Sequence, residues 1–265
     1  VVKPSGSIFV NLGDKYAGSS GRNNNGTGSS TLGGGTSVRN RAAAKAATYS
    51  TTTRPKSLMG LPWRYAIGCI DDLGLILRAE MIWSKPNGLP ESVTDRVRRS
   101  HEQWFHFTLE PRYFTAIDEI REPHKYPDDE RHLRGGRRSI LPDGSPATGN
   151  TTGCNPLGKL PGSVWSIPSE PLQVPDHLGV DHFAAFPQEW PRRLILGWCP
   201  ESGVVLDPFA GTGTVPMVAK ALGRTGIGVD LSSDYLRLAD WRIHESGHAA
   251  KTMRRTNQER QGSLL

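Results

Sequence analysis

Cysteine is scarce: Cys69, Cys154 and Cys199 are the only three in 265 residues, odd in number and far apart. That count and spacing exclude a disulfide framework and a cysteine zinc site, and they favour a reducing, cytoplasmic setting. No run approaches the roughly 20 apolar residues needed to span a bilayer, so no membrane partner is expected. No basic start leads into an apolar stretch, so a secretory leader is not visible. A fixed repeat period is missing too, which excludes fibres and repeat arrays. His101 and Glu102 are adjacent, which is not metal-ligand spacing, and no metal is expected. Acids are almost absent from the first 60 residues, where Asp14 stands against Lys3, Lys15, Arg22, Arg39, Arg41, Lys45, Arg54 and Lys56. Such a segment suits a phosphate backbone.

Glycine and proline are plentiful, at 30 and 20 residues, and the formal net charge is +6. The length suits one substantial core, or one core with a small appendage. Residues 17–53 are rich in Gly, Ser, Thr, Asn and Ala and hold almost no large apolar side chain. They cannot bury enough surface to offset their ordering entropy, so a long basic loop is expected there, either ordered on nucleic acid or simply solvated. A second basic patch is Arg131, Arg134, Arg137 and Arg138, and a third lies in the tail at 251–260. The opening VVKPSGSIFVNLGD starts at Val1 and reads like the middle of a domain, so further sequence upstream is expected.

Periodicity and turn residues place strands at Ser7–Leu12, Leu75–Trp83, Gln103–Thr108, Gly203–Leu206 (short and buried) and Gly226–Val229. Helices are expected at Pro62–Ile70, Trp190–Trp198, Thr214–Leu222 and Asp234–His244, the last capped by Ser232 or Ser233. Residues 120–165 have little periodicity and read as irregular.

The sharpest string is GVVLDPFAGTGTVPMVAKALGRTGIGVD at 203–230. It runs strand, glycine-rich turn, helix, strand, acid, with Asp230 lying 23 residues after Asp207. Glycines at 211 and 213 let backbone approach a ligand closely. An acid closing the second strand can accept hydrogen bonds from both ribose hydroxyls, the alternative being a helix-capping acid. No Gly-Lys-Ser/Thr follows, so this is not a P-loop. Pro216 occupies the third glycine place of a dinucleotide fingerprint, which weakens a pyrophosphate-binding reading.

DPFAGTGT with GIGVD behind it resembles motifs I and II of S-adenosylmethionine-dependent amino-methyltransferases that act on DNA bases. HFAAFP at 182–187 resembles their motif X, and LRAEMIWSKPN at 77–87 resembles the region after their catalytic motif. NLGDKY, KSLMGLPWR, SHEQWFHFT and SVWSIP are also similar to this family. With motifs X and I late in the chain, the order is that of the permuted β class, found in restriction-modification systems, solitary methylases and phages. The resemblance implies an α/β fold: a doubly wound, mostly parallel Rossmann-like sheet with an inserted target-recognition region. It implies a catalytic-side half at 1–109, target recognition at 110–165, a cofactor-binding half at 166–245 and a basic tail at 246–265. It also implies S-adenosylmethionine as cofactor and double-stranded DNA as partner, in a bacterial or phage-infected cell, as a monomer or homodimer.

Cofactor contacts are expected from Phe183, Phe186, Asp207, Ala210, Gly211, Gly213, Asp230 and Leu231. For the two phenylalanines the alternative is plain core packing. Lys85 and Asn87, around Pro86, line a base pocket or form a structural turn, while Arg131, Arg134, Arg137 and Arg138 contact phosphates or guanine edges. Trp104 and Trp165 read as core.

One departure bears on catalysis. The family's catalytic motif is Asp or Ser, Pro, Pro and an aromatic, and the chain has no Pro-Pro pair. Asp207-Pro208-Phe209 resembles it only superficially, because the cofactor motif occupies it. No catalytic residue is therefore assigned, and the motif is expected upstream of Val1. None of the cysteines follows a proline, which disfavours C5-cytosine chemistry. Two other readings are a nicotinamide-dependent oxidoreductase built on 203–230 and a non-catalytic nucleic-acid-binding module with a vestigial methyltransferase fold.

Overall fold

The computed structural model describes residues 2–17, 54–88, 90–124, 155–172, 174, 178–179 and 187–244. In chain order the elements are β1 (Ser7–Leu12), α1 (Leu61–Asp71), β2 (Ile76–Ser84), β3 (His101–Thr108), a 3-10 turn (Ile117–Ile120), β4 (Val164–Ser166), α2 (Glu189–Trp198), β5 (Val204–Asp207), α3 (Thr214–Ala221), β6 (Thr225–Gly228) and α4 (Ser233–His244). Each expected element from β1 to α4 is present within a residue or two. The added strand β4 lies at the end of the segment read as irregular. Among the described residues, no helix is long and apolar enough to cross a membrane.

The larger sheet has the order β1-β3-β2-β4. β3 runs antiparallel to both neighbours, with Phe9 opposite His106 and Met81 opposite Trp104, while β4 is parallel to β2. The smaller sheet pairs β5 with β6 in parallel, Leu206 opposite Ile227. Among the described residues parallel pairing is thus confined to β2/β4 and β5/β6, because β3 returns between β1 and β2.

Side chains alternate across β3, and each face finds a cover. Phe105 and Phe107 pack with Ala66 and Cys69 of α1 and with Ile8 and Val10. The opposite face builds a tryptophan core: Trp190 of α2 stacks on Trp104 and on Trp165, both at 4.6 Å, and meets Trp83 edge-on at 6.2 Å. Trp104 and Trp165 are both buried, in line with their reading as core. Trp83 donates its indole N–H to the Ile167 carbonyl at 2.7 Å, so the ring satisfies its polar edge while filling the core.

α1 takes its N-terminal cap from far away in sequence. The Asp14 carboxylate accepts the amide hydrogens of Gly60 at 2.9 Å and Leu61 at 3.1 Å. A negative charge there satisfies orphan donors and suits the helix dipole. At the same place Tyr16 bridges to Leu58, and Ala17 donates to the Ser57 carbonyl at 2.7 Å.

α2 and α3 join the two sheets through Ile195, Met217, Val218 and Ala219. Trp198, at the end of α2, packs its ring 5.1 Å from Phe9 of β1. The expectation of a buried β5 is corrected: Val204 is 59% exposed, Leu206 44% and Ile227, beside it on β6, 45%. The β5/β6 pair turns its less exposed face toward α3, where a Cβ on Gly226 of β6 would lie 2.5 Å from Pro216 Cα. Among the described residues, β1 pairs only with β3 and β5 only with β6, so each keeps one unpaired edge.

Candidate cofactor-binding site

The site is built on the turn between β5 and α3. Asp207 ends β5 and accepts the Phe209 amide hydrogen at 3.0 Å through Oδ1, closing an Asx turn around Pro208. Val229 donates to the Asp207 carbonyl and Ala210 to the Val229 carbonyl, both at 2.9 Å, so the turn stays laced to β6. Gly211 has φ +50° and Gly213 φ +74°, both left-handed.

The two glycines serve different ends. Among the described residues a Cβ on Gly211 would meet nothing within 4 Å, so this residue faces open space there. A Cβ on Gly213 would lie 2.6 Å from Ala239 Cβ, so here the missing side chain lets α4 close against the loop. Ala210 is buried, its methyl 2.9 Å from where a Cβ on Gly228 would sit.

Asp230 reaches across to this turn. Its Oδ2 accepts the Gly211 amide hydrogen and its Oδ1 the Ser232 amide hydrogen, each at 2.8 Å. The helix-capping alternative is realised in part by the second bond, while Ser232 itself caps α4 by accepting the Tyr235 amide hydrogen at 3.3 Å. Burial pushes the Asp207 carboxyl above the usual carboxylate range; the Phe209 amide opposes this and the Asp230 charge adds to it. Two carboxylates thus flank the loop. Such a mouth repels a pyrophosphate and suits a ligand offering hydroxyl donors or positive charge. Leu231 and Phe209 are exposed beside it and offer apolar surface.

The structure brings together Asp207, Ala210, Gly211, Gly213, Asp230 and Leu231 of the expected cofactor set. Phe183, Phe186 and the Arg131, Arg134, Arg137 and Arg138 patch lie outside the described residues, as does most of the basic loop. Lys85 is ion-paired with Glu102, and its ammonium sits 4.1 Å from the Trp83 ring centroid. Asn87 clasps Ser169, donating to its carbonyl at 3.1 Å and accepting its amide hydrogen at 2.8 Å. Both are engaged within the protein, as a structural turn requires.

Arg242 of α4 is a site residue that the sequence reading missed. It is 3% exposed, and one guanidinium nitrogen donates to the Thr212 carbonyl at 2.8 Å, to Thr212 Oγ1 at 2.7 Å and to Thr214 Oγ1 at 2.9 Å. Its signal was the spacing of Leu238, Ala239 and Arg242, which puts an arginine on the buried stripe of an amphipathic helix.

The DNA methylase family of N6/N4 type matches residues 1–240. The type II methyltransferase M.SmaI of Serratia marcescens is 32% identical over 248 residues, covering 91% of this chain and 68% of that protein. M.XycI of Xanthomonas campestris pv. cyanopsidis is 36% identical over 190 residues, covering 72% and 51% respectively, and M.Cfr9I of Citrobacter freundii is 32% identical over 242 residues, covering 90% and 65%. The chain thus spans between 51% and 68% of the length of these three relatives. Among solved structures, a PvuII DNA methyltransferase described as cytosine-N4-specific superposes with a TM-score of 0.59 at 16% identity, covering 96% of this chain and 71% of that one. That likeness bears on the fold, an α/β Rossmann-like one.

Proposed function

We propose, from the premise that the chain belongs to the N6/N4 DNA methylase family, that it is the cofactor-binding scaffold of a site-specific DNA amino-methyltransferase. The reaction moves a methyl group from S-adenosylmethionine to N6 of adenine or N4 of cytosine in duplex DNA, in a restriction-modification setting in the cytoplasm. The observation that carries this reading is the bond from Gly211 to Asp230, which joins the open glycine of the loop to the acid after β6.

The residues present fit such a cofactor. Asp230 has two acceptor sites in use and further lone pairs for the ribose hydroxyls. Gly211 leaves room for close approach, Ala210 and Gly213 shape the turn, and Leu231 offers apolar surface to the adenine. We assign Asp207 to the methionyl end, and the resemblance of HFAAFP to motif X assigns cofactor contacts to Phe183 and Phe186 as well. When bound, S-adenosylmethionine supplies a methyl group on a positive sulfonium, so no metal is required. The protein's task is orientation and exclusion of water. The target base leaves the duplex at a cost of a few kcal/mol. Its exocyclic amine is a poor nucleophile until acceptors hold its hydrogens.

Those acceptors belong to an Asp or Ser, Pro, Pro, aromatic motif, which the 265 residues do not contain. We place it on an additional strand at the unpaired edges of β1 and β5. The unpaired edges that β1 and β5 keep among the described residues support this reading. We assign Arg131, Arg134, Arg137 and Arg138 to DNA phosphates or guanine edges, and Lys85 and Asn87 to the rim of the base pocket.

The test is incorporation of labelled methyl into mixed-sequence DNA by the 265-residue chain and by an N-terminally extended chain, followed by nucleoside digestion. Label in N6-methyladenine or N4-methylcytosine from the extended chain alone is expected. Robust turnover by the short chain would overturn the placement of the active site, and none by either favours the non-catalytic module. Titration with S-adenosylhomocysteine and with NAD separates the oxidoreductase: tighter binding of NAD removes the methyltransferase reading.

A further inference from the structure

α4 packs Ile243 on the Met217 and Val218 core and carries a buried arginine that bonds to the ligand loop. Arg242 is on α4, and the acceptors named above all belong to Thr212 and Thr214, within the loop or at the first residue of α3. One turn earlier on the same helix, Ala239 abuts Gly213. α4 therefore forms a back-plate to the glycine-rich turn. On the other side of the turn, Asp230 accepts the Gly211 amide hydrogen.

The loop is thus held from two sides by groups of opposite charge. The carboxylate receives a backbone N–H at Gly211, and the guanidinium gives to the backbone carbonyl at Thr212. Among the described residues nothing lies within 4 Å of where a Cβ on Gly211 would sit, so they add no support to the outer side of the turn. Arg242 is also costly where it stands. Burial brings its pKa down to about 10, against which the charge of Glu170 acts, so it remains a cation at neutral pH. The N-terminus of α3, where it sits, already carries the positive end of a helix dipole. An apolar side chain would fill the space without that cost.

We propose that Arg242 is a positioning residue that holds the Gly211–Thr214 turn in its ligand-ready conformation, so that α4 governs cofactor affinity without touching the cofactor. The inference rests on reading this turn as the S-adenosylmethionine cradle. It assigns Arg242 no contact with the reacting atoms. Removing its bonds frees the turn to sample conformations in which Gly211 no longer presents its open side, and the population competent to bind falls.

The experiment compares the unmutated chain with Arg242→Met, Arg242→Lys and Thr214→Val. S-adenosylhomocysteine binding is measured by calorimetry, and amide hydrogen exchange is followed in the unliganded proteins. Arg242→Met is expected to raise Kd by roughly tenfold to a hundredfold, the range for losing charge-assisted bonds. Exchange at Gly211–Gly213 should quicken while the amides of β2 and β3 stay protected. Arg242→Lys should restore part of the affinity, since it keeps the charge but not the planar fork. Thr214→Val, which keeps shape and removes one acceptor, should weaken binding by about threefold and add little on top of Arg242→Met. If Arg242→Met unfolds the chain, Thr214→Val and Arg242→Lys carry the test, and full affinity in both overturns the proposal. Unchanged affinity and unchanged loop exchange in a folded Arg242→Met protein also overturn it. No binding by the unmutated chain overturns the cradle reading itself, and the inference with it.

Discussion

The Asp230 carboxylate and the Gly211 amide, nineteen positions apart, share a hydrogen bond of 2.8 Å. The bond makes one unit of the turn after β5 and the acid after β6. Whatever engages the carboxylate also acts on the geometry of the glycine.

Asp230→Ala is expected to weaken S-adenosylhomocysteine binding by roughly tenfold to a hundredfold, since a charge-assisted bond contributes about 1.5–3 kcal/mol. Asp230→Asn should fall between the two, because an amide oxygen can still serve Gly211. Calorimetry on folded protein checks both, and an unchanged Kd for Asp230→Ala would reduce the residue to a cap.

Asp207 gives a pH signature. Its carboxyl titrates above its unfolded value, chiefly through burial and then through the neighbouring Asp230 charge. The folded state then binds the proton more tightly than the unfolded state. Stability falls as pH rises from the unfolded pKa through the folded one, and the cost is fully present above it. Asp207→Asn keeps the acceptor for Phe209 and removes the charge. Its melting temperature should exceed that of the unmutated chain at neutral pH, and the gain should vanish once the carboxyl is protonated. A gain that persists in acid would contradict this.

Much of this arrangement was legible in sequence, because the signals are local. A glycine-rich turn between a strand and a helix, and an acid closing the next strand, need only their neighbours to be recognised. Non-local features were not legible. Asp14 capping α1 across an excursion of 46 positions and Arg242 bonding back to Thr212 depend on packing that periodicity does not encode. Gly213 looked like a second ligand-facing glycine, yet its constraint comes from Ala239. β5 looked buried because its residues are apolar; the uncovered side became visible only with the sheet order.

Trp190→Ala should be the most damaging core change. Trp190 is fully buried, stacked on Trp104 and Trp165 and edge-on to Trp83. Large aromatic truncations cost about 3–5 kcal/mol, and this one opens a hole between α2 and the sheet. Chemical denaturation should show that loss with little change in slope. A loss under about 1 kcal/mol would mean that the other three indoles collapse into the space.

Replacing Arg131, Arg134, Arg137 and Arg138 with Gln should weaken binding to duplex DNA. For every phosphate that is no longer neutralised, the log–log salt slope should fall by about one. Fluorescence anisotropy over a salt series reads this directly. A fixed slope would place the patch away from DNA.

Asp14, Tyr16 and Ala17 on one side and Ser57, Leu58 and Gly60 on the other fasten the chain where the long basic excursion leaves and returns. Both sides of that fastening belong to the scaffold, so the chain leaves and re-enters the fold at one neck. The entropy of closing it grows only slowly with length. Lengthening, shortening or rewriting what lies beyond the neck therefore leaves the helix cap and the sheet registered as before. Selection can treat that stretch as an exchangeable cassette, while the scaffold on either side of the neck keeps its own packing and charge.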